Sequence, residues 1–436
     1  MSGTGNRLRG LTRRDGAADG DAPTPSAPPR SAQRTRVAPS RPAATARPPA
    51  FDGCFCPCPR GLEPALAAEL AAIGGHDVRP LPGGVRFRGS LETAYRINLH
   101  SRIASRVLLQ VASGRYRTEE DLYRLAHGLP WEAWFHNRQT LRVDTTAIRS
   151  PLASLAFATL RIKDAIVDRM RAKTGARPSV DTANPDVRVQ LFLQAGDAIL
   201  YLDLSGEPLF KRGWRADAGS KGEAPLKENL AAGLLALSGW NPREPLLDLF
   251  CGAGTIVIEA AQIACARPPG LARRFGIENL AFHQPALWQR VCEQAQAAMD
   301  VAMQRIAAGD PVRIGAGDID AEAAAMTRAN LARAGIPADL VRVAVQDAAE
   351  AMPPWPEPGL IVSNPPYNER VAIDVATWRG IGATLRNRFG GWRAFLLSSD
   401  RRLPGQLGLR ERRKTPVFNG QIECRLFEFE MRDRTG

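Results

Sequence analysis

Leu246-Leu247-Asp248-Leu249-Phe250-Cys251-Gly252-Ala253-Gly254-Thr255 is the stretch on which the fold turns. Its apolar run, broken by one acid, reads as a buried strand. The glycines read as a tight turn and the residues through Ala264 as a helix. That order brings a ligand close to backbone N–H groups at a helix N-terminus. A dinucleotide-binding turn would carry a third glycine three residues after Gly254, where this chain has Val257. Outward from this stretch, strands are expected at Leu246–Phe250, Val312–Ala316, Leu340–Val345, Leu360–Ser363 and Arg393–Ser398, alternating with helices. A helix over Pro225–Leu237, with proline at its first turn and Gly239 after its end, precedes them. A hairpin over Arg413–Val417 and Ile422–Glu430, turning at Asn419-Gly420, follows. The alternation predicts an α/β domain with its site along the carboxyl ends of the strands.

The residues at those strand ends carry chemistry. The second strand leads into Gly317-Asp318-Ile319-Asp320. A carboxylate there can accept two hydrogen bonds from a ribose diol, and Asp318 is the candidate. Asp320 is placed to cap the next helix. The third strand leads into Gln346-Asp347, an acid able to accept from an adenine amino group. Alone it reads more simply as a capping acid; its place in the series reverses that. The fourth leads into Asn364-Pro365-Pro366-Tyr367. The glycine turn resembles motif I of class I S-adenosylmethionine-dependent methyltransferases, and methyl transfer to an exocyclic or amide nitrogen is hard because the lone pair is delocalised. The Asn364 side-chain oxygen and the Pro365 carbonyl can accept from the NH₂ group and favour a pyramidal nitrogen. Positioning and electrostatics then supply the rate without a strong base. The prolines fix the backbone, and Tyr367 offers a face for stacking a flipped-out base.

Composition bounds the partners. The net charge of +13 fits an anionic partner such as nucleic acid. Only six of the 58 basic residues are lysines, so part of that charge reflects an arginine-rich composition. No apolar run is long enough for a transmembrane helix, and no secretory signal is visible. An odd count of seven cysteines is no disulfide framework, and a reduced, cytoplasmic chain is expected. Residues 1–48 carry nine arginines against three aspartates and almost no large apolar side chains. They are expected to form a disordered basic tail, either an RNA-attracting arm or dispensable, with a transit peptide a third reading that the three early aspartates disfavour.

The front half reads as two small α+β units. The first has strands at Phe51–Cys56, Val85–Arg88 and Arg106–Val111 and helices at Gly61–Ile73 and Leu91–Leu99. The second has helices at Glu119–His127 and Ser154–Lys173, a strand at Thr140–Thr145, and a hairpin of Val187–Leu193 and Ala198–Leu204 around Gly196-Asp197.

Several stretches carry a resemblance: Cys58-Pro59-Arg60-Gly61-Leu62-Glu63, Lys211-Arg212-Gly213-Trp214-Arg215, Gly222-Glu223-Ala224-Pro225-Leu226-Lys227-Glu228, the glycine turn and Asn-Pro-Pro-Tyr. From Phe51 onward the chain resembles the THUMP-domain RNA methyltransferases, notably the bacterial type that makes N2-methylguanine in 23S ribosomal RNA. The resemblance implies a ferredoxin-like domain (49–112), a THUMP RNA-binding domain (113–215) and a class I, Rossmann-like methyltransferase domain (216–436). It implies S-adenosyl-L-methionine as cofactor, held by Asp248, Cys251, Gly252, Gly254, Thr255, Asp318 and Asp347. Asn364, Pro365 and Tyr367 are the expected catalytic residues. Cys251 lines the turn through its backbone. The long interval between Asp248 and Asp318 fits an insertion, with helices expected at Gln262–Ala266 and Pro285–Ala308. Two features depart from the pattern. Asn368, Glu369 and Arg370 follow Tyr367 where many relatives have glycine, and no second glycine-turn set occurs, so one modification is expected.

The expected partner is RNA, with 23S rRNA or a pre-ribosomal particle first and tRNA second; no membrane and no metal are expected. Cys54, Cys56 and Cys58 lack a fourth ligand nearby and fit strand burial better than zinc. Arg161, Lys163, Arg169, Arg171 and Lys173 on the long helix suit either RNA phosphates or a solvated face. Trp131, Trp134 and Phe135 suit the core. Rival readings are an adenine-N6 or glutamine-amide methyltransferase, an inactive RNA-binding or ribosome-assembly protein, and, more distantly, a Rossmann oxidoreductase, which Val257 disfavours.

Overall fold

A computed structural model describes residues 48–215, 226–366 and 374–432. The expected basic tail (apart from Pro48), the Gly222–Pro225 stretch and Tyr367 lie outside them.

The front half runs β1 (Cys54–Pro57), α1 (Glu63–Ile73), β2 (His76–Leu81), β3 (Gly84–Arg88), α2 (Leu91–His100), β4 (Leu108–Arg115), α3 (Glu119–His127), α4 (Trp131–Trp134), β5 (Thr140–Ile148), α5 (Leu155–Thr174), β6 (Ser179–Val180), β7 (Val187–Gln194) and β8 (Asp197–Asp203). Short polar side chains start three of its helices. Ser90 accepts from Thr93 N before α2, Thr118 and Asp121 form a capping box on α3, and Ser154 accepts from Phe157 N before α5. All eight strands belong to one sheet, ordered β2-β3-β1-β4-β8-β7-β5-β6. β4 pairs with β1 on one side and β8 on the other, so the two expected units share a sheet, and the expected border at 112/113 falls inside β4. β2 escaped the sequence reading because its six residues, HDVRPL, are exposed or half-buried and show no alternation.

The second half runs α6 (Glu228–Ser238), β9 (Leu246–Asp248), α7 (Thr255–Ala264), α8 (Pro285–Ala307), β10 (Ile314–Asp318), α9 (Ala321–Arg333), β11 (Val341–Val345), β12 (Leu360–Ser363), α10 (Val375–Arg388), β13 (Arg393–Ser398), α11 (Leu403–Leu407), β14 (Arg413–Asn419) and β15 (Ile422–Glu430). Its sheet is ordered β11-β10-β9-β12-β13-β15-β14, parallel through β13, with β15 and β14 antiparallel. One expectation is corrected. Gln262–Ala266 is no separate helix but the end of α7 and the turn after it, where Ala266 takes a φ of 50° and Arg267 N donates to Gln262 O. The apolar run from Thr255 gives the helix no reason to break earlier.

The two halves share one core. Leu62, Leu66 and Leu70 of the front half join Leu230, Leu234 and Leu235 of α6 in it. Gly233 permits the approach: a Cβ there would lie 2.2 Å from a Leu62 methyl.

At this junction sits a cluster of four charges, two of them buried. Glu259 on α7 is fully buried; its Oε1 accepts from Arg212 Nε at 3.2 Å and its Oε2 from Arg102 Nη1 at 3.4 Å. Arg102 also donates to Arg267 O, and Arg212 to Arg102 O. Glu69, half-buried, accepts from Ser101 Oγ, Arg102 N and Ile103 N. The loop after α2, the segment leaving β8 and helix α7 thus meet at a charge cluster whose backbone hydrogen bonds offset its desolvation. Glu259→Leu would strand two guanidinium groups and is expected to lower the unfolding free energy by about 3–5 kcal/mol in urea melts. Adding Arg212→Met should recover part of the loss. Melts of Glu259→Leu that match the unaltered protein would disprove the clamp.

Candidate active site

The glycine turn lies where β9 ends and α7 begins. Gly252 and Gly254 take φ of 52° and 80°, conformations that side chains resist. A Cβ on Gly254 would meet the Thr327 methyl at 2.8 Å, whereas nothing lies within 4 Å of one on Gly252. The turn is therefore tight on one side and open on the other, the shape a ligand needs to approach backbone. Helix α9 holds it from behind. Thr327 Oγ1 donates to Gly252 O at 2.8 Å and Asn330 Nδ2 to Ala253 O at 2.8 Å, both from buried side chains. Sequence reasoning missed these two. Their signal was two polar residues three apart on the same side of an alanine-rich helix as Ala323, Ala324 and Leu331.

The strand-end acids differ in environment. Asp248 is 1% exposed, and burial pushes its carboxyl up to about 7, against the opposing hydrogen bonds from Ser363 and Phe250 N. Asp318, half-buried, accepts from Gly252 N at 2.8 Å and Asp320 N at 3.0 Å, so it binds the turn itself. Asp320 caps α9 through Glu322 N, as expected. Asp347 accepts from Ala349 N at 2.8 Å, a local turn bond. Burial pushes the Cys251 thiol up to about 12, which makes it a poor nucleophile at neutral pH. Thr255 opens α7, and its hydroxyl accepts from Arg215 Nη2 at 2.7 Å.

At the end of β12, beside β9, Ser363 Oγ accepts from Leu249 N at 2.9 Å and stabilises the Asp248 carboxylate. The next residue is Asn364. Its Oδ1 is buried and has no hydrogen-bond partner among the described residues. An orphaned acceptor of this kind costs about 1–3 kcal/mol, and each such atom in a folded protein calls for an explanation. Pro365 beside it is buried. The ends of β9, β10 and β12, parallel neighbours, thus place Asp248, Asp318 and Asn364 at one end of the sheet. Ser363 was missed; its only signal was a hydroxyl ending an apolar strand.

The segment leaving the front half is tied into the same site. Arg215 joins Glu228 Oε1 at 2.6 Å and Leu226 O at 2.8 Å, besides Thr255. Arg333 donates to Trp214 O and to Asn330, which holds the turn. These arginines are structural. So, largely, is the basic face of α5: Arg161, Lys163, Arg169 and Arg171 pair with Glu120, Asp164, Glu132 and Asp168. Trp131, Trp134 and Phe135 are core residues, as are Cys54, Cys56 and Cys58, whose thiols burial pushes up. No group able to hold a metal ion, and no helix long and apolar enough to cross a membrane, occurs among the described residues.

Three families match in chain order. Residues 53–108 match the RlmL ferredoxin-like domain, 116–203 the THUMP domain and 212–428 the RMKL-like methyltransferase domain. A ribosomal RNA large subunit methyltransferase K/L of Shewanella sediminis is 39% identical over 375 residues, covering 85% of this chain and 52% of the relative. Its counterpart in Syntrophotalea carbinolica is 38% identical, with 87% and 54% covered. The chain thus spans about half the length of these curated relatives. Among solved structures, the candidate methyltransferase SMU.472, complexed with SAH, aligns with a TM-score of 0.79 at 27% identity over 88% of this chain and 99% of that one. A Listeria monocytogenes protein described as a predicted N6-adenine-specific DNA methylase aligns with a TM-score of 0.77, also at 27%, over 87% and 96%.

The environment of Asp248 has a pH signature. Between its ordinary 3.8 and about 7, the folded chain keeps a proton that the unfolded chain has lost. Stability should therefore fall as pH rises through that window, by at most about 1.4 kcal/mol per pH unit. Asp248→Asn removes this contribution, so urea melts across the window should give a shallower pH slope. An unaltered slope would show that Asp248 is ionised throughout.

Proposed function

With RlmL-type ferredoxin-like, THUMP and RMKL-like methyltransferase domains in one chain, this protein belongs to the THUMP-domain methyltransferases, and we propose that it methylates the exocyclic N2 amino group of a guanine in 23S ribosomal RNA. tRNA is the second candidate substrate, and the setting is the cytoplasm. The observation that carries the reading is the buried Asn364 Oδ1 at the end of β12, which has no partner among the described residues. It is an acceptor where an amino group would need one. The names of the relatives supply the preference for large-subunit ribosomal RNA.

S-adenosyl-L-methionine, whose demethylated product SAH accompanies SMU.472, would supply an electrophilic methyl group. The residues present fit it. Asp248 and the open side of the Gly252 turn suit the amino-acid portion, with Gly254 and Thr255 setting the turn and Cys251 contributing backbone. Asp318 suits the ribose hydroxyls and Asp347 the adenine amino group. A cationic ammonium beside Asp248 would offset the burial that raises its pKa and hold it ionised. Asn364 Oδ1 and the Pro365 carbonyl would accept from the guanine N2 amino group and turn its lone pair out of conjugation. Tyr367 would stack on the flipped base.

Labelled methyl transfer to ribosomal RNA, tRNA, DNA and protein, followed by nucleoside analysis, tests this. N2-methylguanosine in RNA is expected; label confined to protein or in N6-methyladenosine would refute it. Asn364→Ala should cut turnover by about 10²–10³-fold with cofactor affinity retained. Asp318→Ala should weaken cofactor binding first, and unchanged affinity would remove the ribose assignment.

A further inference from the structure

Where the front half, the start of α6 and the β14–β15 hairpin meet lies a cleft that the proposed reaction does not use. Cys58-Pro59-Arg60, Ser105, Phe210, the start of α6 (Lys227, Asn229, Leu230) and the tip of the β14–β15 hairpin line a cleft of about 220 Å³. The hairpin tip is docked there, Phe418 N donating to Arg60 O at 3.0 Å. The cleft opens on the same side of the sheet as Asn364. β15 begins opposite the carboxyl end of β13, Ser398 pairing with Arg425, so the tip projects past that end. The start of α6 meets the glycine turn because Arg215 bridges Glu228 and Thr255.

Its chemistry is cationic and aromatic. The Arg60 guanidinium lies 4.3 Å over the Phe418 ring, and the Lys227 ammonium 4.9 Å over the Phe210 ring. Both cations are exposed, and neither has an ion-pair partner among the described residues. The neighbouring acid Glu228 is held by Arg215. Asn229 is 1% exposed, donates to Ile103 O and Ser105 Oγ, and its own Oδ1 has no partner among the described residues. Paired aromatics hold each cation at low conformational cost. Two free cations over a buried unmet acceptor suit an anion that also carries an N–H donor. The volume is below the roughly 300–1,000 Å³ of pockets that enclose whole small molecules. It therefore suits one unit of a polymer better than a free ligand.

Resting on the RNA substrate proposed above, we propose that this cleft seats a nucleotide of single-stranded RNA flanking the target, with its phosphate between Arg60 and Lys227 and a base N–H on Asn229 Oδ1. It is an anchor separate from the pocket for the flipped base.

The test titrates the full chain with a fluorescein-labelled single-stranded RNA of mixed sequence across a salt series. Arg60→Gln and Lys227→Gln should each weaken binding several-fold. The double variant should flatten the dependence of log K on log salt by about 0.7 for each phosphate that is no longer neutralised. Melting temperature and cofactor affinity should not move. Arg290→Gln, an exposed arginine on α8 outside the cleft, is the control for net charge. Unchanged RNA affinity and slope in the double variant would overturn the anchor, as would equal loss in the control. So would an acidic peptide, polyglutamate, that binds the unaltered protein as tightly as RNA and loses affinity in the same variants. If the unaltered protein methylates RNA while the variants bind it normally, the anchor alone fails. If the unaltered protein methylates no RNA, the functional reading fails instead.

Discussion

Glu259, shut off from solvent, is held by Arg102 from the front half and Arg212 from the segment joining the halves. Charges in a low-dielectric interior tolerate few arrangements, because each lost partner leaves a desolvated ion. The cluster therefore fixes where the joining segment runs. Trp214 and Arg215 follow directly, and through them Arg333, Asn330, Glu228 and Thr255 reach the glycine turn. The shape of the candidate cofactor cradle thus depends on a charge cluster beyond it, assembled from parts far apart in the chain.

The strand-end motifs were legible because they depend on local chemistry. Glycines at 252 and 254, Pro365-Pro366 and the apolar run before each acid dictate backbone conformation wherever they occur. The β10, β11, β12 and β13 strands fall close to where the sequence placed them. Pairings across long intervals were not legible. Nothing in residues 108–115 announces that β4 will stitch two units into one sheet, and the polar β2 exposes too much of itself to alternate. The arginines misled in a different way. Composition counts them as a field facing outward, yet Arg102, Arg106, Arg212 and Arg273 sit against buried acids or backbone carbonyls. Charge that solvates an anion and charge that seals a junction look alike in sequence.

Environment also separates residues of one type. Asp248 and Asp318 stand at neighbouring strand ends, one sealed and proton-retaining, the other half-open and bonded to the turn. Asn364, Asn330 and Asn229 are three buried amides. Asn330 spends its amide on the glycine turn, Asn364 leaves its oxygen orphaned at a strand end, and Asn229 does so at the floor of a cleft. A satisfied amide is accounted for by the scaffold, whereas a buried acceptor with no partner among the described residues calls for an explanation, which the proposals for Asn364 and Asn229 supply.

The shared sheet limits how the chain can be divided. A cut inside β4 at the expected 112/113 border would leave β1 paired with Leu108 and Leu109, but it would bare the facing N–H and C=O groups of β4 and β8. Open edges of that kind recruit other strands and drive self-association. The front half is therefore one folding unit: a fragment that began or ended inside β4 would carry an open strand edge that the intact sheet keeps paired.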